Sequence, residues 1–171
     1  MNSQDVGAGF RRRIYAGPMQ MIGDLLRIVR AARAVLALFC KGRLSAGFRE
    51  RIMLAVTGAN RCRHCAWGHQ FMARRVGIAN VEIAALLQQD LANSPANEIS
   101  GLLYSIHWAE TDGVPTAAAE SALEACYGSY VARQIETATM LISAGNRFGN
   151  TLDFLLSRIS RGRLGLLASE R

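Results

Sequence analysis

The 171-residue sequence contains no run of about 20 apolar residues, the length a membrane-spanning helix needs. The best candidate, residues 25–40, is interrupted by Arg27, Arg30 and Arg33, and its longest clean stretch, residues 34–40, is too short. A signal peptide is not expected either. The basic cluster Arg11, Arg12 and Arg13 is followed by Gly17, Pro18, Gln20 and Asp24 instead of an unbroken apolar segment. A cytoplasmic protein with no membrane partner is therefore expected. Lysine is almost missing, Lys41 being the only one. The arginines behind the net charge of +7 are scattered over many segments, without interleaved aromatics or a DNA-reading helix. They read as a solvated basic surface, so no nucleic-acid partner is expected. Strand-like alternation persists nowhere, and there is no repeat, low-complexity block or internal domain boundary.

What the sequence does have is apolar content arranged at helical spacing. Half the residues are hydrophobic and 19% are charged, which excludes disorder of the low-hydrophobicity, high-charge kind and fits one domain with a proper core. Residues 1–17 read as a flexible leader, residues 18–160 as the domain, and residues 161–171 as a frayed tail. Pro18 suits a first helical turn, and Met21, Leu25, Ile28, Val29 and Ala32 follow at helical spacing toward Gly42. Ser45 is a good N-cap for a helix over 46–57, with Phe48, Ile52, Ala55 and Val56 facing inward. Gly58 to Asn60 is expected to end it, and Asn60 to cap the next helix, which runs to the glycine stop at Gly77. Further helices are expected over 80–89, 96–110, 116–126, 129–144 and 146–160, with the turn at 112–115 as the clearest punctuation. The expectation is a single all-α domain of about seven to eight helices.

One segment carries chemistry: Arg61-Cys62-Arg63-His64-Cys65-Ala66-Trp67-Gly68-His69. Two of the three histidines sit beside the only close cysteine pair. On a helix Cys62, Cys65 and His69 stand at i, i+3 and i+7 and share one face. Cysteines three apart on a helix can approach closely enough for a disulfide. With Asn60 as cap, Cys62 falls in the first turn, where the helix dipole and unpaired amides favour a thiolate. Arg61 and Arg63 add positive potential. Glu50, one tight hairpin away, can orient an imidazole and take part in a proton relay. A zinc site is the rival reading, with Cys62, Cys65 and His64 or His69 as ligands. Structural zinc, however, usually needs a second spaced pair, and Cys40, His107 and Cys126 are isolated. Cys40 and Cys126 read as small core residues, His107 as a packed or surface histidine, and Met19, Met21, Met53 and Met72 as core filler.

The segment resembles the alkylhydroperoxidase D-like branch of the carboxymuconolactone decarboxylase superfamily. The family pattern is a glutamate, eleven residues, C-x-x-C, three residues and a histidine. Here it reads Glu50, Cys62, Cys65 and His69, with His64 between the cysteines. The likeness is specific over residues 44–87 and weaker afterwards, where Asn146-Arg147 matches an asparagine-arginine pair of related chains. The resemblance implies a helical fold with the C-x-x-C at a helix N-terminus, and a thiol-dependent alkyl hydroperoxidase or disulfide reductase with no bound cofactor or metal. It makes Cys65 the attacking cysteine and Cys62 the resolving one, with Glu50 and His69 relaying protons and His64 in support. Helix position alone would instead make Cys62 the more acidic thiol. The partners implied are a hydroperoxide, an external thiol reductant such as a lipoylated or thioredoxin-like protein, and further copies of the chain as a dimer, trimer or hexamer. A non-enzymatic zinc-binding or redox-sensing interaction module on the same scaffold is the alternative.

Overall fold

The computed structural model describes residue 10, residues 12–40 and residues 42–170. Among these the architecture is entirely helical, with seven α-helices and two short 3-10 turns. The helices are α1 (Pro18–Arg30), α2 (Ala32–Cys40), α3 (Ala46–Asn60), α4 (Arg63–Arg75), α5 (Asn80–Leu87), α6 (Ile99–Glu110) and α7 (Ala117–Ile159). The 3-10 turns are Ala96–Glu98 and Ala168–Glu170. No helix among the described residues is long and apolar enough to cross a membrane.

The core is organised around α3, which packs against α4, α5, α6 and α7. Ser45 caps it, its hydroxyl accepting from the Phe48 amide at 3.0 Å. The expected inner face, Phe48, Ile52, Ala55 and Val56, is buried, and so are Met53, Leu54 and Thr57 around the rest of the cylinder. A helix enclosed on several sides shows no clean apolar stripe. That is why α3 reaches Asn60 instead of ending at Thr57. Gly58 is a contact point, not a stop: a Cβ there would lie 2.5 Å from the Leu87 carbonyl oxygen, so only glycine allows this approach of α3 to the end of α5.

Several expectations change. The helical stretch expected from Pro18 toward Gly42, with or without a break, does break, into α1 and α2 at Ala31. The predicted helix over 96–110 opens as a 3-10 turn before α6 begins at Ile99. The break expected near residue 128 is present, with Gly128 at φ 73° and ψ 156°, a conformation essentially reserved for glycine. The break expected at 145 is not. Gly145 lowers helix propensity by about 1 kcal/mol, but its neighbours Ile142, Ala144, Asn146 and Asn150 are buried along one continuous helix. Of the methionines read as core filler, Met53 is buried while Met19, Met21 and Met72 are exposed. Cys40 and Cys126, expected inside, are exposed as well: Cys40 ends an α2 on which Leu36 and Phe39 are also exposed, and Cys126 lies off the face of α7 that buries Leu123.

The terminal segments also differ from a loose leader and a frayed tail where they are described; residues 1–9, 11 and 171 lie outside the described residues. Arg12 and Tyr15 are buried. The Tyr15 amide donates to Thr151 Oγ1 at 3.0 Å, and its hydroxyl donates to the Ala144 carbonyl at 3.2 Å. Arg12 pairs with Asp153 on α7 at 2.6 Å and with Glu170 of the last 3-10 turn at 3.1 Å. The buried Arg12 guanidinium thus ties the last 3-10 turn to a carboxylate on α7, and periodicity has no way of signalling such a partner.

Candidate active site

The turn from α3 to α4 sets the cysteine pair. Asn60 is the last residue of α3, Arg61 takes the left-handed conformation at φ 53°, and Cys62, in extended geometry, is itself the N-cap of α4. This corrects the expected placement, in which Asn60 was the cap and Cys62 lay in the first turn. Cys62 makes no side-chain capping hydrogen bond of the serine or aspartate kind, but the second and third amides of the helix favour its thiolate. Those amides belong to His64 and Cys65.

The Cys62 and Cys65 sulfurs are 3.0 Å apart, and both cysteines are free thiols. At this distance the pair releases its first proton from one centre. Cys62 is that centre, its pKa lowered to about 6. The largest cause is the hydrogen bond with the Cys65 side chain; burial opposes it, and the backbone amides of Cys65 and His64 and the His64 charge favour the thiolate further. Cys65 is pushed up, first by that same hydrogen bond and then by burial and the neighbouring thiolate. Access runs the other way: Cys62 is 1% exposed, whereas Cys65 is partly open.

Two carboxylate–imidazole pairs flank the sulfurs. His69 Nδ1 lies 2.8 Å from Glu50 Oε2, so the sequence-predicted pair on α3 and α4 is in contact. Glu50 is 4% exposed and His69 stands one helical turn beyond Cys65. His64 Nε2 lies 2.9 Å from Asp153 Oδ1 on α7. Asp153 also accepts from Arg63 and Arg12 at 2.6 Å each. Burial raises the Asp153 pKa, but the hydrogen bonds from Arg63, Arg12 and His64 outweigh it and hold the group below the usual carboxylate range. Arg63 is therefore committed to Asp153, while Trp67, one turn on, is an exposed side chain. Asn146 is buried and accepts from Thr57 Oγ1 at 3.2 Å, and Arg147 pairs with Asp24 at 3.1 Å. His107 stays outside the site, in α6.

Sequence reading missed Asp153 and Gly149. A Cβ on Gly149 would lie 2.8 Å from Cys62 Sγ, so α7 closes over the buried sulfur at a residue with no side chain. Gly145, one turn earlier on the same helix, has nothing within 4 Å of its Cβ position. Gly145→Ala should stabilise by about 1 kcal/mol through helix propensity. Gly149→Ala gains the same term but adds an overpacking penalty of about 1–3 kcal/mol. Thermal unfolding should place Gly145→Ala above the wild type and Gly149→Ala at or below it. Equal rises in Tm would mean that α7 does not press on Cys62.

Among the described residues no three His, Cys, Asp or Glu side chains gather as a metal-ligand set. An apolar cavity of about 400 Å³, lined by Tyr15, Pro18, Met21, Phe148, Leu152 and Leu155, lies between the start of α1 and the last part of α7.

Residues 24–102 match the model of the carboxymuconolactone decarboxylase family, which supports that superfamily for this chain without specifying a branch. Glu50, Cys62, His64, Cys65 and His69 fall inside the matched stretch; Gly149 and Asp153 fall outside it. No curated protein and no solved structure matches the chain.

Proposed function

We propose, taking the family match as premise, that this chain is a thiol-dependent peroxidase of the alkylhydroperoxidase D-like branch, reducing hydroperoxides with the Cys62–Cys65 pair. The observation that carries the reading is the pair of free sulfurs 3.0 Å apart at the start of α4. The carboxylate-held imidazole of His69 one turn on supports it.

In the proposed cycle Cys65, the accessible sulfur, gives its proton to His69 as it attacks the terminal oxygen of the hydroperoxide, so that two thiolates never face each other at 3.0 Å, and Glu50 stabilises the imidazolium that forms. The O–O bond breaks, the sulfur becomes a sulfenic acid, and the alkoxide takes the proton from His69 and leaves as alcohol. The Cys62 thiolate then attacks the sulfenic sulfur, and hydroxide departs as water after protonation. Closing the bond brings the sulfurs from contact to about 2.0 Å. An external dithiol, on a lipoylated or thioredoxin-like protein, restores the pair by exchange. The cytoplasm, where thiols are kept reduced, suits such a cycle.

Further copies of the chain are the proposed cover for its exposed apolar faces. Helix α1 has no buried residue. Leu25 and Val29 on it, Leu36 and Phe39 on α2, and Phe148 and Ile159 on α7 all face outward.

One experiment tests the reading and the assembly together: intact and native mass of the reduced protein, with and without one equivalent of an organic hydroperoxide. Two of the four thiols should be lost as a single Cys62–Cys65 disulfide, in an oligomer carrying no metal. Thiols untouched by peroxide, with zinc in the native mass, would overturn the peroxidase and favour the metal-binding module.

A further inference from the structure

We propose that Asp153 is a positioning residue for Cys62: from α7 it holds the His64 imidazole against the cysteine pair, forming a second carboxylate–imidazole pair. This pair serves Cys62 as Glu50–His69 serves Cys65. The inference rests on the dithiol reading above and adds a residue that lies outside the matched stretch and outside the motif.

Asp153 is completely buried, and one oxygen, Oδ1, accepts from both Arg63 at 2.6 Å and His64 at 2.9 Å. The other oxygen takes Arg12 at 2.6 Å, and Arg12 also reaches the Gly165 carbonyl and Glu170. Arg12 and Arg63 already pair with this carboxylate, and the half-exposed His64 ring joins the buried charge to the site. The ring edge, His64 Cδ2, and Cys62 Sγ both lie within 4 Å of the point where a Cβ on Gly149 would sit. The imidazole and the buried sulfur therefore share one wall of α7.

The other charged groups around this pair are Arg63 on α4, Arg12 from the N-terminal segment and Glu170 from the last 3-10 turn. On α3, Glu50 is taken by His69. A carboxylate behind an imidazole favours its protonated form, and a cation beside a thiol favours the thiolate. The step that gains is reductive opening. A thiolate of the external dithiol attacks the accessible Cys65 sulfur, the Cys62–Cys65 bond breaks, and the electron pair leaves on Cys62. The donor's second thiol then attacks the mixed disulfide, releasing Cys65, which takes the proton that thiol gives up. The donor is oxidised to its disulfide. A more acidic leaving thiol leaves faster, so His64 and Asp153 act on the departure of Cys62.

The test is a pH titration of thiolate ultraviolet absorbance on the reduced full-length chain, in a Cys40→Ser/Cys126→Ser background that removes the two exposed thiols. It compares the parent with Asp153→Asn, His64→Gln and the double variant. Each single change should raise the first thiolate midpoint by about one pH unit, the shift expected on losing one nearby opposite charge. The double variant should shift no further than His64→Gln, because Asp153 acts through that ring. A lower Tm with an unmoved midpoint in Asp153→Asn would reduce Asp153 to a structural anchor, and additive shifts would deny the route through His64. Should Asp153→Asn fail to fold, Asp153→Glu keeps the charge for Arg12 while displacing it from His64, and an unchanged midpoint there overturns the proposal. The titration uses no peroxide. Failure to turn over hydroperoxide would end the peroxidase reading and leave this result standing.

Discussion

Cys65→Ser is expected to lower hydroperoxide consumption at least about 10³-fold, the scale of removing an attacking nucleophile, whereas Cys62→Ser should complete one turnover and stop at a sulfenic acid. Acidity and access favour different sulfurs. Cys62 is the thiolate at neutral pH, with its pKa lowered to about 6, but it is 1% exposed beneath α7. A peroxide has to bring its O–O bond into line with the attacking sulfur, and only Cys65 offers that approach. The buried thiolate is suited to the second step, since it is already charged when the sulfenic acid appears 3.0 Å away. Trapping with a sulfenic-acid reagent and intact mass separates the two cases. A trapped sulfenic acid on Cys62 in the Cys65→Ser variant, with consumption preserved, would reverse the order. The same assignment fixes the pH dependence. Disulfide closure should weaken as pH falls through about 6, where Cys62 takes up a proton.

Glu50→Gln should slow the first chemical step about 10²-fold, the lower range for losing a positioned acid–base group, with far less effect on folding. The amide occupies the same volume and can still hydrogen-bond His69, so the ring stays in place. What it loses is the negative charge 2.8 Å from Nδ1 that stabilises the imidazolium formed when Cys65 gives up its proton. Rapid-quench oxidation by an organic hydroperoxide reads the step directly. A rate within threefold of the parent, with an unchanged thermal melt, would remove Glu50 from the relay and leave it as a buried partner of His69.

The contact between Glu50 and His69 was legible because both belong to a local hairpin whose spacing is visible in the chain. The all-helical architecture was legible for a similar reason: apolar residues at helical spacing and a cap such as Ser45 are local signals. Cys62 as N-cap was missed because Asn60 is the better capping residue by type, but here its backbone carbonyl accepts from Asn150 Nδ2 at 2.8 Å and it closes α3. Asp153 and Gly149 were invisible for a deeper reason. In Thr151-Leu152-Asp153-Phe154 an aspartate resembles any solvated helix residue, and a glycine facing a sulfur resembles a weak spot in a helix. Their roles come from α4 and from Arg12, far away along the chain. Cys40 and Cys126 were misplaced because helical spacing alone does not tell which face of a helix meets the core.

The partner of His64 lies 89 positions downstream of it. During synthesis the hairpin that carries both cysteines is complete long before α7 leaves the ribosome, and until then no carboxylate stands behind the ring. A nascent hairpin already holds the Cys65 hydrogen bond and the α4 amide that lower the Cys62 pKa most, and on the proposed role of Asp153 it lacks only the last share of that acidity. Docking of α7 completes the tuning of the pair, so that the final part of its reactivity arrives with the finished fold.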